Sequence, residues 1–121
     1  MTSFEQPALH ATLLAASASE LDELTFGVVE LGTDLICTRY NAAEARISGL
    51  GPERVIGRTF FDTVAPCMNN YLVRDRLASS EPLDDIIDYV LSVKLNPQRV
   101  RLRLLAGAAD ERRFLCVEPV G

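Results

Sequence analysis

The stretch Tyr40-Asn41-Ala42-Ala43-Glu44-Ala45-Arg46-Ile47-Ser48-Gly49 decides how this 121-residue chain is read. Asn41 is a favourable helix N-cap, and Glu44 follows three places on, a capping-box variant. The short helix this predicts runs to about Ser48, where Gly49 and Gly51 end it. Glu44 and Ser48 are four residues apart and share a face, and Tyr40 at the entrance points the same way. A phenol, a carboxyl and a hydroxyl then converge on one spot. Such a trio suits an anionic oxygen held away from water, because charge-assisted O–H···O bonds are short and roughly twice as strong as neutral ones. Holding that anion requires a protonated Glu44, hence a pKa raised by apolar burial.

Upstream of this stretch, residues 26–31 read as a buried strand. Residues 35–39 read as its antiparallel partner across a Gly32-Thr33-Asp34 turn. The first 25 residues read as a helical cap with apolar positions at Leu9, Leu13, Leu14 and Leu21. Downstream, residues 52–57 predict another helical turn with a glycine stop. Phe60 and Phe61 enter a loop leading to Ala65-Pro66-Cys67. Asn69 and Asn70 then cap a longer helix through Leu72, Val73 and Leu77. From 87 to 95 the odd positions are Ile, Tyr, Leu, Val and Leu, a period-two pattern with one buried face. Asn96-Pro97 breaks it. Val100, Leu102 and Leu104 alternate with Arg99, Arg101 and Arg103, which puts the arginines on the solvent face of the next strand. A loop over 106–111 leads to a closing strand at 114–117. This order predicts an α+β domain whose antiparallel sheet is covered by helices on one side.

Composition narrows the function classes. Hydrophobic residues make up 48% and charged residues 24%, a globular balance in a chain long enough for one domain. A net charge of -5 and scattered basic residues give no footprint for nucleic acid. No run approaches the roughly 20 apolar residues that span a bilayer. The N-terminus lacks a basic signal region. The expectation is a cytoplasmic protein with no membrane segment. Cys37, Cys67 and Cys116 form no CxxC pair, against a disulfide framework or a tetrahedral zinc site. His10 is the one histidine, so no Cys/His/Asn set supports an enzyme with Cys67 as nucleophile. There is no GxGxxG or P-loop.

Taken singly, these residues also have plainer readings. Glu44 reads as a capping-box residue, Tyr40 as a core-edge aromatic, Ser48 as a helix end and Cys67 as a small buried hydrophobe. Spacing alone leaves a globular α+β domain with a candidate ligand pocket.

Taken jointly, residues 40–44, Val55-Ile56-Gly57, Phe60-Phe61 and Val64-Ala65-Pro66-Cys67 resemble the photoactive yellow protein family, and Phe26-Gly27 and Pro97 fit as well. The similarity runs from about Leu21 to Cys67 and more loosely to the C-terminus. The resemblance implies a PAS fold in a single domain. A central five-stranded antiparallel sheet would be flanked by helices, with residues 1–24 as an N-terminal cap and 25–121 as the core. It implies a blue-light photoreceptor, not an enzyme, carrying p-coumaric acid (4-hydroxycinnamic acid) as a thioester on Cys67. Tyr40 and Glu44 would hydrogen-bond the phenolate oxygen. Ser48, in place of the family's usual threonine, would bond Tyr40, and the Cys67 N–H would bind the thioester carbonyl. Phe60, Val64 and Ala65 would wall the pocket, with Leu50, Leu91 and Leu95 as further lining.

Signalling would follow trans–cis isomerisation, proton transfer from Glu44 and partial opening that loosens the cap toward a downstream signalling protein. The domain itself would be a monomer or weak dimer. Leu50 stands where the best-known members have an arginine, and Leu95 where they often have a methionine that assists thermal return. The second change predicts slow dark recovery. The alternative reading is a PAS-type ligand-binding or dimerisation module without light sensing.

Overall fold

Period-two alternation in the C-terminal third produces the longest strands of the structure, a computed structural model that describes residues 1–93, 96–107 and 110–120. They are β3 (Leu83–Val93), β4 (Asn96–Gly107) and β5 (Asp110–Pro119). With β1 (Gly27–Leu31) and β2 (Cys37–Tyr40) they make one five-stranded sheet in the order β2-β1-β5-β4-β3. Every pairing is antiparallel. The inward positions Ile87, Tyr89 and Leu91 alternate with exposed Asp88, Val90 and Ser92, as the pattern predicts. The strand starts earlier than predicted, at Leu83. Of the loop expected over 106–111, residues 106, 107, 110 and 111 are ladder, with Gly107 paired to Asp110, and 108 and 109 lie outside the described residues. Continuing the ladder satisfies backbone groups that a loop would leave to water.

Among the described residues the α-helices are four and short: α1 (Leu9–Ala15), α2 (Ala18–Asp22), α3 (Ala42–Ser48) and α4 (Arg74–Ala78). Ser17 and Glu20 cap α2 reciprocally, each side chain accepting the other's backbone N–H at 3.1 and 2.8 Å. The longer helix expected after Cys67 is corrected to the five residues of α4. Asn70 Oδ1 takes the N–H groups of Leu72 and Val73 at 3.0 and 3.1 Å, which substitutes a side-chain turn for the first helical turn.

Both faces of the sheet are covered, which corrects the expectation of one. On the inner face, Val29, Leu31, Leu102, Leu104, Leu115 and Val117 pack beneath residues 55–77. On the outer face, Val28, Leu105, Phe114 and Cys116 meet Phe4, Leu9, Leu13, Leu21 and Phe26 of the N-terminal segment. Each such side chain contributes about 1.5–3 kcal/mol on full burial. The sequence pattern shows only that residues 26–31 form a buried strand, and the docked cap is the reason.

The cap also changes the arginine stripe. Arg99 is exposed, but Arg103 is only 5% exposed. It pairs with Asp84 at 2.8 Å and donates to the carbonyls of Phe4 and Gln6. Nearby, Glu30 accepts from Arg39, Arg112 and Thr38. Arg39 and Arg112 in turn donate to the carbonyls of Leu13, Leu14 and Ala16 at the end of α1. The arginines thus fasten the cap to the sheet. No helix among the described residues is long and apolar enough to cross a membrane.

Candidate functional site

The site is built on α3. Asn41 caps this helix through Oδ1, which accepts from Glu44 N at 3.0 Å and from Val28 N at 2.8 Å. Its Nδ2 donates to the carbonyls of Leu21 and Phe26, so one buried amide ties α2, β1 and α3 together. The Asn41 N–H goes to the Val28 carbonyl. The capping box is therefore only half made, because nothing in it calls on the Glu44 carboxyl. The plain capping reading of Glu44 fails here.

Glu44 instead turns into the domain. It is 4% exposed, and among the described residues its Oε1 is buried without a hydrogen-bond partner. Burial in apolar surroundings pushes its pKa up to about 8, so the carboxyl is mostly protonated at neutral pH. Gly27 makes this placement possible. A Cβ there would lie 2.0 Å from Glu44 Oε1 and 3.2 Å from Glu44 Cα. The close approach of helix and strand is one that only glycine allows.

Tyr40, at the end of β2, lies beside this carboxyl. Its hydroxyl is hydrogen-bonded to Ser48 Oγ, which also accepts the Leu50 N–H at 3.1 Å. Burial, with Glu44 and Cys37 adding to it, keeps the phenol protonated and pushes it to about 12 against the pull of Ser48. Both groups are therefore neutral donors at pH 7. This is the converging trio that the 40–48 spacing predicts.

A cavity of about 280 Å³ brings Tyr40, Glu44 and Ser48 together with Cys67. Leu50, Phe60, Val64, Ala65 and Leu91 line it too. Leu95, the remaining expected lining residue, lies outside the described residues. Pro66, Met68 and Ser92 also line the cavity and were not anticipated. Pro66 and Met68 flank the cysteine and were signalled by adjacency alone. Ser92 falls on the outward positions of the β3 pattern, so periodicity pointed away from it.

The predicted loop at 60–64 is a single π-helical turn, Phe60–Val64, in which Ala65 N bonds to the Phe60 carbonyl at 2.9 Å. Such turns recur at functional sites. A 3-10 turn, Pro66–Met68, follows and carries Cys67.

The cysteines differ sharply. Cys37 and Cys116 are buried, and burial raises both thiols, Cys37 to about 12. They pack the sheet. Cys67 is partly exposed and faces the cavity. His10 belongs to the cap itself, on α1, with its Nε2 3.2 Å from the Arg112 carbonyl and its ring edge-on to Phe114. A thiol and two neutral hydrogen-bond donors thus share one apolar-walled chamber. The arrangement can hold a covalent adduct whose far end is an anionic oxygen.

Comparison with known proteins agrees with this geometry. A family model described as PAS fold matches residues 21–113. The chain is 29% identical over 110 residues to the photoactive yellow protein of Halochromatium salexigens, covering 88% of each. It is 26% identical over 124 residues to that of Rhodothalassium salexigens, covering 99% of this chain and 98% of the relative. The crystal structure of the photoactive yellow protein domain from the sensor histidine kinase Ppr of Rhodospirillum centenum superposes with a TM-score of 0.81 at 34% identity. That match covers 89% of this chain and 97% of that one.

Proposed function

The chain belongs to the photoactive yellow protein family of the PAS fold, and from that premise we propose that it is a blue-light sensor holding p-coumaric acid as a thioester on Cys67. The observation that carries this reading is Glu44 Oε1, buried and unpartnered in the same cavity as Cys67. A buried polar atom without a partner is destabilising by about 1–3 kcal/mol. An anionic phenolic oxygen accepting from Glu44 and Tyr40 would remove that penalty, so the residues present fit the group.

Loading is an acyl transfer. The Cys67 Sγ–acyl bond forms as the acyl bond of an activated hydroxycinnamate breaks, and the thiol proton departs with the leaving group. When bound, the group supplies visible absorbance and light-driven isomerisation about its double bond. The protein supplies the rest. Glu44 holds a proton at its carboxyl, and Tyr40, set by Ser48, donates a second hydrogen bond. Phe60, Val64, Ala65, Leu50 and Leu91 exclude water, which strengthens both bonds. Loss of the Glu44 proton leaves a buried carboxylate with no hydrogen-bond or ion-pair partner at Oε1 among the described residues, and such a charge is unfavourable by several kcal/mol. Partial opening of the fold relieves it. Residues 1–24 act as the releasable cap over the core at 25–121, and the exposed surface addresses a downstream signalling protein in the cytoplasm. The domain is a sensor and not an enzyme.

The test is an absorption spectrum after incubation with p-coumaric anhydride, beside a Cys67→Ala control. A light-bleachable visible band in the wild-type protein alone is expected. No band in either sample would turn the reading to a PAS-type binding module without light sensing.

A further inference from the structure

The turn that carries Cys67 is joined to the sheet by a side chain that the 40–67 pattern leaves out. The Tyr89 hydroxyl donates to the Cys67 carbonyl oxygen at 2.6 Å. Asn70 Nδ2 donates to the Tyr89 hydroxyl at 2.7 Å and lies 3.4 Å from that same carbonyl. The direction of this chain is fixed by chemistry. Asn70 Oδ1 faces two backbone N–H donors, those of Leu72 and Val73, so its NH₂ group must face Tyr89. An amide NH₂ donates and cannot accept. The tyrosine oxygen therefore accepts from Asn70, and its own proton must go to Cys67.

The rest of what holds Cys67 is local, with Met68 N bonded to the Ala65 carbonyl at 3.0 Å and Asn69 N to the Pro66 carbonyl at 3.1 Å. This 3-10 turn is three residues long, and the preceding Ala65 has φ -130 and ψ 64, outside the regular helical and strand regions. Tyr89, by contrast, is set in the middle of the β3–β4 ladder, paired with Val100, and faces inward two residues from the cavity residue Leu91.

We propose that Tyr89, oriented by Asn70, is a positioning residue that fixes the Cys67 peptide and so aims Sγ into the cavity. The proposal rests on Cys67 being the attachment residue. The tether sets the angle at which the thiol meets an incoming acyl group, and after loading it is the fixed point from which that group extends toward Tyr40 and Glu44.

Two variants test it. Tyr89→Phe keeps the ring and removes the hydroxyl. Asn70→Asp keeps an oxygen for the N–H groups of Leu72 and Val73 but turns the other end into an acceptor, which draws the Tyr89 proton away from Cys67. Three quantities are read in chromophore-free protein: the rate of Cys67 acylation by p-coumaric anhydride, the rate with a small general thiol reagent, and the urea midpoint. Acylation should slow by roughly five- to tenfold in both variants, the order a single hydrogen bond supports, with the general reagent unaffected. The absorption maximum of the loaded variants should shift in the same direction in both.

Wild-type acylation rates in either folded variant, or equal slowing with both reagents, would overturn the positioning role while leaving the photoreceptor reading intact. Failure of the wild-type protein itself to load at Cys67 would overturn both. Should Tyr89→Phe not fold, Asn70→Asp alone decides, since it retains every packed ring.

Discussion

Glu30 and Glu44 are both buried carboxyls in one small domain, and they are opposites. Glu30, on the outer face of β1, is 5% exposed and accepts from Thr38, Arg39 and Arg112. Burial works against its ionisation, but those hydrogen bonds and the arginine charge prevail and hold its pKa below the ordinary carboxylate range. Glu44, on the inner face of the sheet, is 4% exposed with an unpartnered oxygen and a pKa raised to about 8. Burial alone therefore does not decide the state of a carboxyl; partners do. One fastens the cap. The other stays neutral and faces a cavity.

The contrast breaks most forcefully at Glu30. Glu30→Ala removes the carboxylate shared by Arg39 and Arg112, both partly exposed and still bonded to cap carbonyls, and should lower stability by about 3 kcal/mol in urea unfolding, the low end for breaking a buried pair. Glu44→Gln, which keeps the shape and removes only the ionisable group, should leave the neutral-pH stability of the chromophore-free protein unchanged or higher. An equal loss in both variants would erase the distinction.

A smaller effect is expected from Gly27→Ala. The new Cβ would collide with Glu44 Oε1 and force the carboxyl out of its place. Overpacking of this kind is destabilising by about 1–3 kcal/mol. The carboxylic-acid C=O band of Glu44 in the infrared spectrum should shift or vanish with it, and an unchanged band would place that oxygen elsewhere.

The pH dependence sharpens the contrast. Glu44 binds its proton more tightly folded than unfolded, so its stabilising contribution is full below its unfolded pKa of 4.5 and is lost as pH rises toward about 8. Glu30 has the opposite sign. Its contribution is present above 4.5 and is lost as pH falls through its lowered folded value. In the chromophore-free protein, Glu44→Gln should flatten the decline in stability between about pH 5 and 8 while leaving the acid limb. A decline that survives the substitution would assign it to another group. Smallest of all, Asp85→Asn removes a largely exposed pair with Arg76 and should change stability by less than about 1 kcal/mol.

What the sequence revealed follows from which contacts are local. Glu44 and Ser48 were legible because one helical turn places them together, Tyr40 because it stands at the entrance of that helix, and Cys67 because it follows a motif ending in proline. The cap's docking was not legible. Arg103 lies in a clean alternation with apolar residues, and only the arrival of Phe4 and Gln6, nearly a hundred residues away in sequence, turns its face into an interior. The Asn70–Tyr89 link was hidden for the same reason, since each residue had a sufficient local role as helix cap or strand residue. The π-helical turn at Phe60 has no periodicity distinct from a loop over five residues.

The central claim is that Glu44 is the neutral donor facing a covalent chromophore on Cys67. A light-minus-dark infrared difference spectrum of p-coumaroyl-loaded protein tests it most directly. The account predicts loss of a protonated-carboxyl C=O band on illumination, absent from Glu44→Gln. A band that persists unchanged in Glu44→Gln, or no carboxyl signal in the loaded wild-type protein, would contradict it.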